Sequence, residues 1–375
     1  MDLVIRPVEN KNDKMRFIRS QWNFYKNDKN WVPPIIADRL KLLDTKKNPF
    51  YKHSLIQLFL AERDSVVVGR IAAIINYNHN KTHNDKVGFF GFFECVNDQE
   101  VANKLFDAAA EWLKVRGMDA MRGPENPSQN DEVGLLIEGF DSPPVILMTY
   151  NPSYYIDLIE NYGLKKVKTL YAYELRMEDY LTEKLVRLQD VIRKRYSITV
   201  RNVDFKNKEQ FKRDVETLKH IYNSAWEPNW GFVKMTDEEF DFLAADLKTI
   251  AEPEFAFIVE VKGKPAGFAL GLPDVNQCLI HNKSGSLIGA IWHLLTKKKK
   301  IKIIRIIVLG VLKDFQGIGV DGVMYYEFAK RGSKLGMLRG EASWILEDNE
   351  MMNRALTVTM NGRIYKKYAL YEKEI

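Results

Sequence analysis

The stretch Gln316-Gly317-Ile318-Gly319-Val320-Asp321-Gly322 carries the clearest chemical signal in the chain. It follows the apolar, β-branched run Ile303 to Val311 and opens a segment of helical periodicity with apolar residues at Val323, Met324, Phe328 and Leu335. A strand, a glycine-rich turn and a helix in that order suit an anion. Glycine lets the backbone come close, and the first helical turn offers N–H groups without partners at the positive end of the helix dipole. The ligand class this predicts is a phosphate ester. No Gly-Lys-Ser/Thr follows, so it is not a P-loop. A turn that only opens a helix would look the same.

The elements that must position this turn occur twice. Leu60-Ala61-Glu62, a polar turn and Gly69-Arg70-Ile71-Ala72 match Ile258-Val259-Glu260, the turn Lys262-Gly263-Lys264 and Gly267-Phe268-Ala269, with Glu and Gly each offset by 198 residues. Each reads as a β-hairpin. Further on, the helical run Asp98 to Gly117 matches Asp321 to Gly336, with an offset between the closing glycines of 219. The second copy therefore holds an insertion of about twenty residues between hairpin and helix, over 279–302. Strands are expected at Leu3 to Arg6, Ile198 to Val203, Met118 to Arg122 and Arg339 to Ile345, and helices at Asn207 to Ala225 and Asp237 to Ile250. Two α/β units of similar order, 1–178 and 179–375, follow, joined by a charged helical stretch around Asp179 to Arg195.

On these residues the chain resembles the GNAT N-acyltransferase superfamily, whose diphosphate loop reads Gln/Arg-x-x-Gly-x-Gly/Ala between its fourth strand and third helix. Gln316, Gly317, Ile318, Gly319 and Val320 fit that pattern and Asp321 does not. The resemblance spans nearly the whole chain and implies two tandem GNAT-like domains, each a mixed, largely antiparallel sheet flanked by helices. It implies acyl-CoA or acetyl-CoA as co-substrate, a thioester carbonyl polarised by backbone N–H groups of Leu309, Gly310 and Val311, and Asn349 beside the pantetheine arm. The acceptor amine attacks directly once a base has taken its proton, and Glu341 and Asp274, at or near strand ends, are the candidate bases. Each also reads as an ordinary solvated carboxylate. Trp226, Glu227, Asn229, Trp230 and Phe232 fall where the fold builds a wall of the acceptor site, and equally where aromatic residues would staple a loop to the core. The family's tyrosine acid is missing, because the helix expected over Glu350 to Met360 contains no Tyr and its position is taken by Leu356. In the first copy Cys95-Val96-Asn97 replaces the glycines, so that copy should not hold coenzyme A in the usual way.

Composition bounds the rest. The chain has 375 residues, 46% hydrophobic and 28% charged, with 12% aromatic, which is globular throughout. Its two cysteines, Cys95 and Cys278, cannot make a disulfide framework, and the start of the chain lacks a signal-peptide layout, so a reducing, cytoplasmic setting is expected. The six histidines show no close metal-ligand pair, with His79 and His83 read as solvated in a polar loop, so no metal is expected. The net charge is +6, yet residues 275–313 hold eight cations and no acid. One local block argues against a nucleic-acid coat. Within it, Ser286 to Leu295 is apolar nearly all round, includes Trp292, and runs into Lys297-Lys298-Lys299-Lys300 and Lys302. An interfacial helix on an anionic membrane has this make-up, and so does a core helix followed by solvated lysines. The long polar segment Pro124 to Pro144, with Asn126, Asn130 and Glu132, has the length of a functional loop. Together with the insertion, the tandem arrangement resembles the bacterial ceramide synthase-like branch. That implies an acyl-CoA-dependent N-acyltransferase for a long-chain, sphingoid-type amine at the membrane face. The alternatives are a soluble acetyltransferase of a small amine and a non-catalytic acyl-CoA or lipid-binding protein.

Overall fold

The computed structural model describes residues 2–227 and 229–375, with Lys184 described by its backbone alone. Its strands are β1 (Leu3–Pro7), β2 (Ser54–Arg63), β3 (Val66–Asn76), β4 (Val87–Cys95), β5 (Ala120–Gly123), β6 (Glu125–Asn126), β7 (Glu132–Val133), β8 (Leu135–Glu138), β9 (Lys165–Arg176), β10 (Ile198–Asn202), β11 (Ala256–Val261), β12 (Lys264–Pro273), β13 (Ile303–Val311), β14 (Arg339–Leu346) and β15 (Arg363–Glu374). The chain forms two compact units, each drawn from more than one stretch of sequence. The first takes residues up to Thr169, Cys278–Thr296 and Lys366–Ile375, and the second takes Leu170–Gln277 and Lys297–Tyr365.

In the first unit β1, β2, β3 and β4 pair antiparallel in sequence, β4 pairs parallel with β5, and β5 antiparallel with β15. Helix Gln99–Lys114, capped by the Asp98 side chain, covers one face. Its buried Val101, Ala102, Leu105, Phe106, Ala109 and Leu113 recur at the spacing of one helical stripe and meet Ile71, Ala73, Ile75 and Phe90 of the sheet. The opposite face packs Leu60, Ala72, Ile74 and Phe89 against Phe17 and Ile18. Burial on both faces explains why β3 reads as a continuous apolar run.

The second unit repeats this order. The antiparallel series β10, β11, β12, β13 is followed by a parallel β13–β14 pair and an antiparallel β14–β9 pair. Helix Val320–Lys334 lays Val323, Met324, Phe328 and Ala329 on Phe257, Val259, Ala269, Ile304 and Ile306. Helix Lys208–Ala225 covers the other face, where Ile221 meets Ile258 and Phe268. Both units are thus mixed, largely antiparallel sheets flanked by helices.

Two sequence expectations change. His79 is not a solvated loop residue: it lies on helix Tyr77–His83, 3% exposed, edge-on to Phe89 and 3.3 Å from the Asp85 carboxylate, and burial pushes its pKa down to about 4. The helix expected over Glu350 to Met360 is α-helical only for Glu350–Arg354 and continues as a π turn at Ala355–Thr359. The insertion also has a definite place. Trp22 Nε1 donates to Lys283 O at 2.7 Å, Ile36 N donates to Gly285 O at 2.9 Å, and Gly285 (φ +65°) leaves no room for a Cβ beside Trp22. A segment that interrupts the second sequence copy therefore folds onto the first unit.

Candidate active site

The parallel pairing of β13 with β14 runs from Ile303 opposite Arg339 to Ile306 opposite Ala342 and stops there. Beyond it β13 continues to Val311, with Leu309, Gly310 and Val311 paired to Ala269, Phe268 and Gly267 of β12. The register shift opposite Leu270 and Gly271 leaves Ile307 as a bulge, the device that bends a strand away from its neighbour. Leu309, Gly310 and Val311 consequently line one lip of an opening in the sheet.

The glycine turn follows that lip. Gln316 Nε2 donates back to Val311 O at 3.1 Å, Gly317 has φ +75°, and Gly319, at φ +89°, caps helix Val320–Lys334 in the left-handed region where a side chain would be strained. The helical ladder starts when Val323 N donates to Gly319 O at 3.2 Å, so the preceding N–H groups of the first turn have no intrahelical acceptor. A Cβ on Gly317 or Gly322 would meet nothing within 4 Å, whereas one on Gly319 would stand 2.5 Å from Ile192 Cδ1. The turn is thus closed by Ile192 at Gly319 and open at Gly317 and Gly322. Its glycines do keep the spacing G-x-G-x-x-G, but in a largely antiparallel sheet rather than the parallel sheet of dinucleotide folds. Asp321, half-buried in the first turn, is the misfit; burial, with the Asp321 charge adding to it, raises the pKa of the Tyr325 phenol one turn on. Asn349 caps helix Glu350–Arg354 by accepting from Met352 N at 3.1 Å.

Glu341 lies on β14 opposite Arg305 of β13 and is 1% exposed. Ile304, Ile306 and Ala342 face the helix Val320–Lys334 core, so strand alternation turns Arg305 and Glu341 to the other face. Oε1 accepts from Ser343 Oγ at 2.6 Å and Oε2 accepts from the Tyr365 hydroxyl. Arg305 Nε donates to Ser343 Oγ at 3.0 Å and Nη2 to Ser343 O at 3.1 Å. Asp274 stands elsewhere. It follows the far end of β12, where its N–H donates to Ile303 O at 2.9 Å, and its carboxylate accepts from Asn276 N at 3.2 Å and Gln277 Nε2 at 3.1 Å. Val311 lies at the other end of the β12–β13 ladder, roughly 23 Å along it at a strand's rise per residue.

The aromatic segment divides by role. Trp226 stacks on Tyr222, with ring centroids 4.9 Å apart, and lies over Gly310, whose Cβ would be 2.3 Å from Trp226 Cζ3. Phe232 is 8% exposed and packs against Tyr222. Asn229 and Trp230 are half-buried, Glu227 pairs with Lys234 at the surface at 3.0 Å, and Pro228 lies outside the described residues. The structure brings Trp226 to the lip of the opening. Arg305 and Tyr365 had no local sequence signal, because they come from other strands to Ser343 and Glu341, which lie two residues apart on β14.

The first unit has the same parallel pair, and among the described residues the place that corresponds to the opening is filled. Phe89 stands opposite Arg122 where the second unit has Arg305 opposite Glu341, and Arg122 pairs with Glu372 at 2.6 Å. A Cβ on Gly91 would meet the Glu125 backbone O at 1.7 Å, the Asn126 side chain accepts from Phe92 N at 2.6 Å, and Tyr155 accepts from Cys95 N at 2.9 Å. Glu94, at the register of Gly310, accepts from Gln21 at 2.6 Å and from the Tyr25 and Tyr155 hydroxyls at 2.8 Å. The chain's own groups occupy this place.

Among the described residues no cluster of three or more metal-binding side chains occurs, and no helix is long and apolar enough to cross a membrane. No protein-family model matches the chain. It is 34% identical over 384 residues to protein YghO of Escherichia coli, spanning 99% of this chain and 95% of that one. It is 35% identical over 383 residues to the bacterial ceramide synthase of Caulobacter vibrioides, spanning 100% and 98%. Its fold is similar to that of a tandem GNAT protein from the clavulanic acid biosynthesis pathway, with a TM-score of 0.56 at 10% identity over 100% of this chain and 98% of that one. A GCN5-related N-acetyltransferase from Sphaerobacter thermophilus gives a TM-score of 0.53 at 12% identity over 99% and 95%. With a fold similar to that of tandem GNAT proteins, a glycine turn at a helix start beside a parted parallel strand pair, and full-length relatives above 30% identity, the chain belongs to the family that includes YghO and the Caulobacter vibrioides bacterial ceramide synthase.

Proposed function

We propose that this protein is an acyl-CoA-dependent N-acyltransferase with one working site per chain, in the second unit, acting on a long-chain amine at the cytoplasmic face of a membrane. The observation that carries the reading is the contrast between the two units. In the second, the glycine turn is open at Gly317 and Gly322 and adjoins the parted strands, while in the first the same place is filled by Glu94, Asn126 and Tyr155.

When bound, acyl-CoA supplies an activated thioester. The first-turn N–H groups after Gly319 hold its diphosphate, Gln316 fixes the turn, and Asn349 holds the helix start near the pantetheine arm. Main-chain groups of Leu309, Gly310 and Val311 face the thioester oxygen, where preorganised donors stabilise developing negative charge. Glu341 accepts the ammonium proton, after which nitrogen bonds to the acyl carbon, the C–S bond breaks, and the thiolate takes up the equivalent of the second proton that the nitrogen sheds. Asp274, at the far end of β12 and engaged in its own turn, is the weaker candidate for that base. Trp226 forms the wall along which the amine approaches, with Asn229, Trp230 and Phe232 backing it and Glu227 at its rim.

The membrane part of the reading has its own support. On helix Leu287–Lys297 the side chains of Leu287, Ile288, Ile291, Trp292 and Leu295 are 49–82% exposed on one stripe, while Ala290 is buried, and exposed lysines follow. Large apolar side chains followed by lysines suit the headgroup boundary of an anionic bilayer. Two buried free cysteines suit a reducing compartment.

Calorimetry with CoA thioesters from acetyl to palmitoyl, together with mass-spectrometric detection of N-acyl product from sphinganine, tests the reading. One site per chain and turnover with long-chain partners are expected. Turnover confined to acetyl-CoA and small amines would make it a soluble acetyltransferase, and binding without product a non-catalytic acyl-CoA protein.

A further inference from the structure

We infer that Tyr365, on the strand nearest the carboxy terminus, is a positioning residue for catalysis: with Arg305, which acts through Ser343, it holds the Glu341 carboxylate in the orientation that receives the amine proton. The inference rests on the proposed role of Glu341. Glu341 Oε1 is taken by Ser343 Oγ and Oε2 by the Tyr365 hydroxyl, so both oxygens are fixed by donors. Ser343 is fixed in turn by two hydrogen bonds from the buried Arg305. Tyr365 itself is held because the Arg339 guanidinium lies 5.4 Å from its ring centroid, and Arg339 is anchored at 2.8 Å on Glu174, the β9 residue paired with Glu341.

Stability alone does not account for this group. A buried carboxylate and guanidinium linked through a hydroxyl gain little over well-packed apolar residues. The fold does not require it either, since the first unit has Phe89 and Arg122 at the matching register and buries Phe89 in its core. Tyr365 is half-buried while Glu341 is 1% and Ser343 4% exposed, so of the two groups bonded to the carboxylate the phenol is the one nearer the surface.

The test compares full-length Tyr365→Phe, Glu341→Gln and the double variant in steady-state acylation of sphinganine and in thermal unfolding. Glu341→Gln is expected to lower kcat by about a hundredfold or more, as loss of a general base does. Tyr365→Phe is expected to lower kcat by about tenfold, within the cost of slightly misplacing a reacting group, with KM for acyl-CoA unchanged. The double variant should match Glu341→Gln, because nothing is left to position. Full kcat in Tyr365→Phe, or a further loss in the double variant, overturns the inference while leaving Glu341 as base. Full turnover in Glu341→Gln overturns both.

Discussion

Gly310 and Trp226 are in a contact that a single methyl group would break, because a Cβ on Gly310 would stand 2.3 Å from Trp226 Cζ3. Gly310→Ala should push Trp226 off its seat and cost about 1–3 kcal/mol of stability, as overpacking does. Trp226→Ala should raise KM for the amine with little change in CoA affinity. If the double variant regains the stability lost in Gly310→Ala, the clash is confirmed; no loss in either single variant would show that the contact is slack.

Gly322 offers a clean test of the diphosphate site. It lies in the first turn of helix Val320–Lys334 with open space where its Cβ would be, so Gly322→Asp should fold normally and still place a negative charge beside the proposed diphosphate site. Calorimetry is expected to show CoA affinity falling by about tenfold or more, with unfolding temperature within a degree or two of wild type. Gly319→Asp is less informative, since it would also drive a side chain into Ile192, 2.5 Å away. Unchanged affinity in Gly322→Asp would place the diphosphate elsewhere.

Helix Leu287–Lys297 should bind vesicles containing phosphatidylglycerol. Cosedimentation is expected to fall as salt rises, since lysine–phosphate attraction is screened, and to fall again with Trp292→Ser. Trp292 is 64% exposed, so that variant should keep its unfolding temperature. Wild-type protein that ignores anionic vesicles at low salt would remove the membrane from the reading.

Glu125 predicts a pH-dependent stability. It is 4% exposed, and burial raises its carboxyl pKa from 4.5 to about 8. Between those values the folded chain keeps a proton that the unfolded chain has released, so this group lowers stability as pH rises through the window. Glu125→Gln should change the unfolding temperature little at pH 5 and raise it by about 5 °C at pH 8. An equal effect at both pH values would show that Glu125 is already ionised at pH 5.

What the sequence determined by itself is what local pattern and repetition can carry. The doubled hairpin-and-helix order specified two GNAT-like units, and the strand, glycine turn and helix around Gly319 were readable because backbone conformation there depends on the glycines themselves. The apolar, lysine-flanked insertion was visible for the same reason. Its attachment was not: Cys278–Thr296 joins the first unit through Trp22 and Ile36, more than 240 residues earlier in the chain. Nor could spacing tell that His79 is buried against Phe89, that Glu94 and Tyr155 fill the first cleft, or that Glu341 is held by Ser343 and Tyr365 while Asp274 turns to its own loop. Those facts depend on which residues tertiary pairing sets opposite one another, and register is fixed only when strands distant in the chain pair and bury a common face.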